Sequence, residues 1–342
     1  MTEISQLLAL LAGAAGMPAA LATVVEVEGS SYRRPGARRL MLADGTVAGS
    51  VSGGCLEEDV AERGRRVLAN GRPELAVYDT AAENDLVWGT GIGCQGKVYV
   101  FVEKIPAVRP AWIETLAANL RERRVTALSV AFDVSGAAGT QLAGATVASP
   151  GAAVFCETIA PPPALLVCGA GDDAQPLVRL AKELGWHVTV ADSRSALATP
   201  ARFPLADRLR VQPLTDFARD LAADEPTLAV VMSHRYADDL GYLRALLPRD
   251  LPYVGQLGPR LRTDRLLRDL AGSGANYTAA QLTKLHAPVG LDLGGDAPEA
   301  VALAIVAEMQ ARLTGHPAGF LRDRPGPIHR PERSRATDYV SA

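Results

Sequence analysis

The sequence predicts an α/β protein with two domains: an N-terminal mixed α+β domain, and a C-terminal domain with a parallel sheet covered by helices. The length of 342 residues suits two domains of ordinary size. A proline cluster, Pro161–Pro163, marks a linker between them. Beyond it, short apolar runs alternate with helical patterns, which is typical of β-α-β units. We therefore place the domains at residues 1–160 and 161–321, followed by a polar, proline-rich tail over residues 322–342.

The N-terminal domain begins with Leu7–Val25, an uncharged stretch that predicts a short amphipathic helix and then a strand. Glycines and a proline interrupt the stretch and no Lys or Arg precedes it, which argues against a membrane span and a signal peptide. Leu56–Ala69 is predicted as a helix, because it has one apolar face and its acids precede its bases, as the helix dipole favours. The predicted strands are Ala20–Val27, Arg39–Leu42, Val47–Val51, Leu75–Tyr78 and Lys97–Val102. A helix over Pro110–Arg123 and two or three strands up to Ile159 complete the domain.

The C-terminal domain shows the β-α-β order. Ala164–Val167 is a continuous apolar strand, a helix follows up to Leu184, and His187–Ala191 is the next strand. Leu228–Met232 predicts another buried strand followed by a helix. Val301–Leu313 is the last predicted helix, since an Asp that can cap it and a Pro that fits a first turn precede it.

The composition excludes several classes of protein. The chain has 35 basic and 38 acidic residues, so its net charge of −3 argues against a nucleic-acid protein driven by bulk charge. The cysteines show no zinc-binding spacing, and a disulfide framework is not expected in so long a chain. They are Cys55, Cys94, Cys156 and Cys168. We expect a cytoplasmic protein.

The segment Gly169–Gly171 follows a predicted strand and opens a helix, as the dinucleotide fingerprint does. Asp192 lies 23 residues after Gly169, at the end of the next strand, where a ribose-binding acid is expected. This pattern predicts a Rossmann-type domain and a site for NAD(P) or another nucleotide. However, Asp172 and Asp173 stand where a pyrophosphate would approach, and their carboxylates would repel it. A Rossmann fold with a modified or unused site is the alternative.

Two glycine-rich loops in the first domain each contain a cysteine. In the first glycine–cysteine loop, Val51–Leu56, Gly53 and Gly54 allow a close backbone approach, and Cys55 lies at a helix N-terminus. The helix dipole stabilises a thiolate there, which is a nucleophile and a soft-metal ligand. The alternative is a small residue in a tight turn.

The second glycine–cysteine loop, Gly89–Gly96, suits a segment that wraps a ligand, although a structural glycine loop is equally compatible with it. Its candidate ligand contacts are Gly91, Gly93, Cys94 and Gly96. If the two loops converge, they frame two sulfurs and many N–H donors.

Two further segments carry polar candidates. The arginine segment, Ser30–Arg39, contains Arg33, Arg34 and Arg38, a pattern that suits a phosphate or another anion. A solvated basic loop is the alternative.

His234 follows a strand of the second domain, at the edge where such sheets bind ligands, and is a candidate base or ligand contact. A structural histidine is the alternative.

Together these segments resemble the XdhC/CoxI family of xanthine dehydrogenase accessory proteins. The resemblance covers roughly residues 8–325 and includes both domains in order. In the first domain it rests on SYRRPGARRL, VSGGCLEED and GTGIGCQG. In the second it rests on VCGAGDDAQPLVRLAKELGWHVTVADSR, VVMSHRYADD, VGQLGPRLRTDRLL and PVGLDLGGDAPEAVALAIVAEM.

The resemblance implies a chaperone for the molybdenum cofactor, a pyranopterin dithiolene that bears a phosphate. Such a protein holds the cofactor while a cysteine desulfurase supplies a sulfido ligand, and then delivers it to xanthine dehydrogenase or a related molybdenum hydroxylase. The resemblance also implies a homodimer. It makes Cys55 the first candidate to contact the molybdenum and Cys94 the second. The glycines of both glycine–cysteine loops would then donate to the pterin, and the three arginines would face the phosphate.

Two other functions remain open. One is an NAD(P)-dependent oxidoreductase that uses the Rossmann domain with His234 as acid or base. The other is a scaffold that docks partner proteins while both loops are only structural.

The family often has His after Gly-Ala-Gly, whereas this chain has Asp172. No iron–sulfur cysteine pattern is present, so we expect a cofactor chaperone without catalytic residues rather than a dehydrogenase subunit.

Overall fold

The computed structural model describes residues 2–79, 96–132, 139–144, 153–220 and 227–325. The chain divides into two compact units, an N-terminal unit over Thr2–Pro161 and a C-terminal unit over Pro162–Arg324. Within the described residues, no helix is long and apolar enough to cross a membrane.

In the described part of the N-terminal unit, five strands form an antiparallel sheet in the order β3-β2-β1-β5-β4. The elements are α1 (Glu3–Gly13), β1 (Ala19–Gly29), β2 (Arg38–Leu42), β3 (Val47–Gly49), α2 (Glu57–Asn70), β4 (Glu74–Asp79) and β5 (Gly96–Ile105). A smaller antiparallel sheet, in the order β7-β6-β8, follows α3. Its elements are α3 (Ala111–Arg121), β6 (Thr126–Ala131), β7 (Gly139–Leu142) and β8 (Val154–Ile159).

Helix α2 packs on the face of the larger sheet formed by β1 and β5. Its buried residues, Val60, Gly64 and Val67, recur at helical spacing and face the apolar side chains of the sheet. Gly64 allows a close approach, since a Cβ there would displace the terminal Cε atom of the Met41 side chain. The predicted helix Leu56–Ala69 therefore matches α2 to within one residue at each end.

In the described part of the C-terminal unit, six strands form one sheet in the order β11-β10-β9-β12-β13-β14, and every neighbouring pair is parallel. The strands are β9 (Ala164–Cys168), β10 (His187–Asp192), β11 (Arg208–Val211), β12 (Thr227–Val231), β13 (Tyr253–Gln256) and β14 (Leu285–His286). The helices are α4 (Ala174–Glu183), α5 (Leu214–Asp220), α6 (Tyr236–Leu246), α7 (Arg260–Gly272), α8 (Ala279–Thr283) and α9 (Pro298–Thr314). The order reverses between β9 and β12, as in Rossmann folds, which confirms the predicted fold class.

The apolar run of β9 has a direct physical cause. Leu165 and Val167 face the core under α4 and α9, whereas Leu166 and Cys168 face the core under α6 and α7. Because helices cover both faces of the sheet, every residue of β9 is buried and the strand needs no polar alternation.

Candidate functional site

Two of the predicted motifs meet at one end of the larger N-terminal sheet. Gly29, the last residue of β1, is the register partner of Gly96, the first residue of β5. A Cβ on Gly96 would lie 2.6 Å from the carbonyl oxygen of Ser30 and would also collide with that of Glu28. The end of the second glycine–cysteine loop thus lies against the start of the arginine segment. Gly91, Gly93 and Cys94 lie outside the described residues, so the convergence of Cys55 with Cys94 stays a prediction.

Tyr32 connects the arginine segment to the first glycine–cysteine loop. A Cβ on Gly53 would lie 3.4 Å from Cδ1 of Tyr32 and 3.6 Å from Cε1 and Cγ, so the ring packs against this glycine. The side chain is otherwise open, with 69% of its surface exposed. The arginine segment and the first glycine–cysteine loop are therefore neighbours in space.

Glu57, at the start of α2, holds the first glycine–cysteine loop in shape. Its Oε1 accepts hydrogen bonds from Ser50 Oγ at 2.7 Å and from the Ser52 N–H at 3.0 Å. Its Oε2 accepts from the Leu56 N–H at 3.2 Å and from the Ser52 hydroxyl. Partial burial alone would raise the pKa of Glu57, but the hydrogen bonds from Ser52 and Ser50 outweigh it and lower the pKa to about 2. The carboxylate therefore stays charged at the positive end of the helix.

The loop itself presents Cys55 to solvent. Ser52 Oγ accepts from the N–H groups of Gly54 and Leu56, both at 3.1 Å. Gly54 has φ +118°, a conformation that favours glycine, and its N–H is already occupied. This glycine shapes the loop, and the contact of its N–H with a ligand stays a prediction. Cys55 is a free, exposed thiol just before α2.

The predicted anion-binding arginines lie in different environments. Arg34 is exposed, and Arg33 is about one-third exposed and ion-paired with Glu3. Arg38 is buried, pairs with Glu157, and donates to the Gly36 carbonyl at 3.0 Å. The contact of Arg38 with a phosphate stays a prediction, and its burial makes it less accessible than Arg33 and Arg34. Arg33 and Arg34 remain candidates.

In the C-terminal unit, two loops meet where the strand order reverses. Gly169 follows β9 with φ +127°, and a Cβ there would lie 2.5 Å from the Met232 carbonyl oxygen and 2.6 Å from Cα of Ser233. Only glycine allows this contact between the loops after β9 and β12. His234 lies over Gly171. A Cβ added to this glycine would lie 3.5 Å from the Cδ2 atom of the imidazole.

Asp192 ends β10 at the position of a ribose-binding acid, but it is buried and engaged. Its Oδ2 accepts from the Ala170 N–H at 2.7 Å and from Arg194 at 2.7 Å. Its Oδ1 accepts from the N–H and Nε of Arg194 at 2.8 and 2.9 Å. Burial raises the pKa of Asp192, but these hydrogen bonds outweigh it and the pKa is lowered. The carboxylate fixes the glycine loop and is not available to a ribose in this conformation.

The other two acids of the loop also bind side chains of the same unit. Asp172 pairs with Arg202 at 2.8 Å. Asp173 Oδ2 lies 2.6 Å from Nε2 of His234, a residue with φ +60°. The remaining oxygen of Asp173 is buried and lies 2.7 Å from the position of a Cβ on Gly171. Carboxylates therefore occupy the approach to the glycine loop that a pyrophosphate would use.

Three residues that organise these loops were not identified from the sequence. Glu57 and Tyr32 organise the first glycine–cysteine loop, and Asp239 of α6 organises the loop after β12. Asp239, only 1% exposed, accepts from Ser233 Oγ at 2.5 Å and from Arg262 at 2.7 Å. The sequence signals that could have identified the two acids were Asp238 and Asp239 in the first turn of α6 and Glu57 at the start of α2, where the helix dipole favours acids.

No resident metal centre is evident in the described segments of the chain, where no three His, Cys, Asp or Glu residues are grouped to hold an ion. Cys168 is buried, which raises the pKa of its thiol well above the usual value. Of the described cysteines, Cys55 and Cys156 are the exposed ones.

Comparison with known proteins matches both units. The model of the XdhC Rossmann domain matches residues 165–309, and that of the XdhC and CoxI family matches residues 12–79. A probable xanthine dehydrogenase subunit of Bacillus subtilis (strain 168) is 33% identical over 316 residues, covering 85% of this chain and 92% of the relative.

More distant similarity extends to a named chaperone. The molybdenum cofactor insertion chaperone PaoD of Escherichia coli (strain K12) is 24% identical over 295 residues, covering 86% of this chain and 83% of PaoD. Among solved structures, a Bacillus halodurans protein described as a xanthine dehydrogenase superposes with a TM-score of 0.78 at 30% identity. The superposition covers 95% of this chain and 98% of the other.

Proposed function

Since this chain belongs to the XdhC and CoxI family, we propose that it is an accessory protein that binds the molybdenum cofactor as cargo. It delivers this cargo to xanthine dehydrogenase or a related molybdenum hydroxylase. The similarity to a molybdenum cofactor insertion chaperone over 86% of the chain supports this proposal. The similarity to a probable xanthine dehydrogenase subunit supports the choice of client.

The observation that carries the proposal is the exposed thiol of Cys55 on a fixed loop, beside an exposed aromatic ring and basic side chains. Thiolates are preferred ligands of soft metals, so Cys55 is the group of this site suited to the molybdenum end of the cargo. Arg33 and Arg34 suit its phosphate end. The hydrogen bonds of Glu57 fix the loop before the cargo arrives, so less conformational entropy is lost on binding.

Two finer steps belong to the same proposal. A cysteine desulfurase supplies the terminal sulfido ligand while the cargo is held, and the chain works as a homodimer. The sulfuration step requires a cargo that remains accessible on the carrier. The exposure of Cys55 supports such access.

The alternative of an NAD(P)-dependent oxidoreductase has less support from the geometry. Asp192 is only 2% exposed and already accepts four hydrogen bonds, which leaves little capacity for a ribose. Asp172 and Asp173 add negative charge where the pyrophosphate would lie. The C-terminal unit therefore fits a Rossmann fold with a modified site better than a standard dinucleotide site.

Cofactor retention tests the proposed function. Freshly released molybdenum cofactor is incubated with wild-type protein, Cys55→Ala and Cys156→Ala, each sample is desalted, and molybdenum and oxidised pterin fluorescence are quantified together. Cys156 is the matched control, because it is the other exposed, free cysteine among the described residues of the same unit. We expect both signals to co-elute with wild type and Cys156→Ala and to fall in Cys55→Ala. Wild type that retains neither signal contradicts the function, and equal retention by Cys55→Ala contradicts the role of this thiol.

A further inference from the structure

We propose that Tyr32 is the stacking platform of the site, and that the flat pyrimidine ring of the cargo's pterin lies on its exposed face, at the loop that carries Cys55. This inference rests on the proposed function and deepens it, because it states which part of the cargo this end of the sheet recognises.

The first support is the placement of the ring. Cδ1, Cε1 and Cγ of Tyr32 all lie 3.4–3.6 Å from the position of a Cβ on Gly53, so one side of the ring rests on the first glycine–cysteine loop. That loop is fixed by Glu57, and Cys55 lies two residues beyond Gly53. The ring is thus held in place while 69% of the side chain faces solvent.

The second support is that stability does not explain the position of Tyr32. The other tyrosines at this end of the unit are anchored: Tyr78 donates to Asp59 at 2.5 Å, and Tyr99 donates to Glu28 at 2.6 Å. Among the described residues, the Tyr32 hydroxyl finds no hydrogen-bond partner. A single exposed aromatic is ordinary on a protein surface, but this one packs on Gly53, two residues before the exposed thiol of Cys55.

The third support is the chemistry of the neighbours. An aromatic face binds planar heteroaromatic rings without needing a specific hydrogen-bond pattern, and each stacked ring contributes about 1–3 kcal/mol as judged by alanine substitution. Arg33, which is ion-paired with Glu3, and the exposed Arg34 follow Tyr32 directly in the chain and are the basic residues nearest to it in sequence for an anionic group attached to the ring. A cargo with a planar ring, a soft-metal end and a phosphate matches these three neighbouring features.

The experiment compares Tyr32→Ala and Tyr32→Phe with wild type, using Phe320→Ala as the matched control. Phe320 is an aromatic residue of the other unit that is 72% exposed. Two probes are used: the released molybdenum cofactor, measured by retention, and free pterin, which lacks the dithiolene and the metal, measured by fluorescence titration. Thermal unfolding of each variant checks that the fold is intact.

We expect Tyr32→Ala to weaken binding of both probes by about 5- to 150-fold, the range of one lost stacking contact. Tyr32→Phe should bind both probes within about twofold of wild type, because it keeps the aromatic face. Phe320→Ala should also bind within about twofold, because it leaves the site unchanged. If wild type retains the cofactor and Tyr32→Ala binds both probes equally well, the stacking role is overturned while the proposed function stands. If wild type retains no cofactor, the proposed function itself fails.

Discussion

At the scale of single residues, the site depends on carboxylates that bind the chain's own N–H groups and cations. Glu57 fixes the loop that presents Cys55, and Asp192 fixes the loop after β9. In both cases hydrogen bonds to the charged form outweigh the cost of burial, so the pKa of each acid is lowered. These residues shape loops and are not expected to contact ligand directly.

Glu57→Gln should lower the free energy of unfolding by about 1–3 kcal/mol, because hydrogen bonds to a charged group and an interaction with the helix dipole are lost. Glu58→Gln is the matched control, since Glu58 is also in the first turn of α2 but is exposed. Urea denaturation of both variants measures the difference. An effect of Glu58→Gln as large as that of Glu57→Gln would contradict the role of Glu57.

The Glu57 contribution should also depend on pH in a defined direction. The folded-state pKa of about 2 lies below the ordinary value of 4.5, so the charged form stabilises the fold and its contribution is complete above pH 4.5. The stability difference between wild type and Glu57→Gln should therefore shrink as pH falls from 4.5 toward 2. Denaturation measured at pH 7 and at pH 3 tests this, and a difference that widens at pH 3 would contradict it.

At the scale of elements, segments with a clear apolar pattern could be predicted, whereas the shortest strand could not. Helix α2 was predicted from its apolar face, and β9 from its apolar run, because both signals are local. The strand β14 has only two residues, too few to show periodicity. The burial of Arg38 depends on Glu157, 119 residues away, so no local pattern could distinguish it from its exposed neighbours.

The contact between the loops after β9 and β12 leads to a prediction at this scale. Gly169→Ala should lower the free energy of unfolding by more than about 2 kcal/mol, since the new Cβ would meet the Met232 backbone in a left-handed conformation. Gly272→Ala in α7 is the control, because nothing lies within 4 Å of its Cβ position. Thermal unfolding compares them, and a Gly169→Ala variant as stable as wild type would show that the loops do not make this contact.

At the scale of the whole molecule, a Rossmann sheet does not by itself imply a dinucleotide. The parallel sheet and the Gly-Ala-Gly loop were predictable, and Asp192 lies where the motif places it. Its engagement with Ala170 and Arg194 was not predictable, because the same acid at the same position serves either a ribose or the loop. In this chain the Asp192 carboxylate binds the loop after β9.

Titration with NAD⁺ or NADH should therefore give no saturable binding up to ~1 mM ligand, the affinity that corresponds to about −4 kcal/mol. The reason is the occupied Asp192 and the acids at the glycine loop. Isothermal titration calorimetry measures this directly. Saturable binding of NADH that is lost in Asp192→Ala would restore the oxidoreductase alternative.

The proposed function of the whole chain is to carry the molybdenum cofactor and hand it over. A transfer measurement follows molybdenum and pterin together from the loaded, desalted chain to a cofactor-free xanthine dehydrogenase, with the two proteins separated by size after mixing. We expect both signals to leave the carrier and co-elute with the dehydrogenase. A loaded chain that keeps both signals, or a chain that never acquires them, would contradict this function.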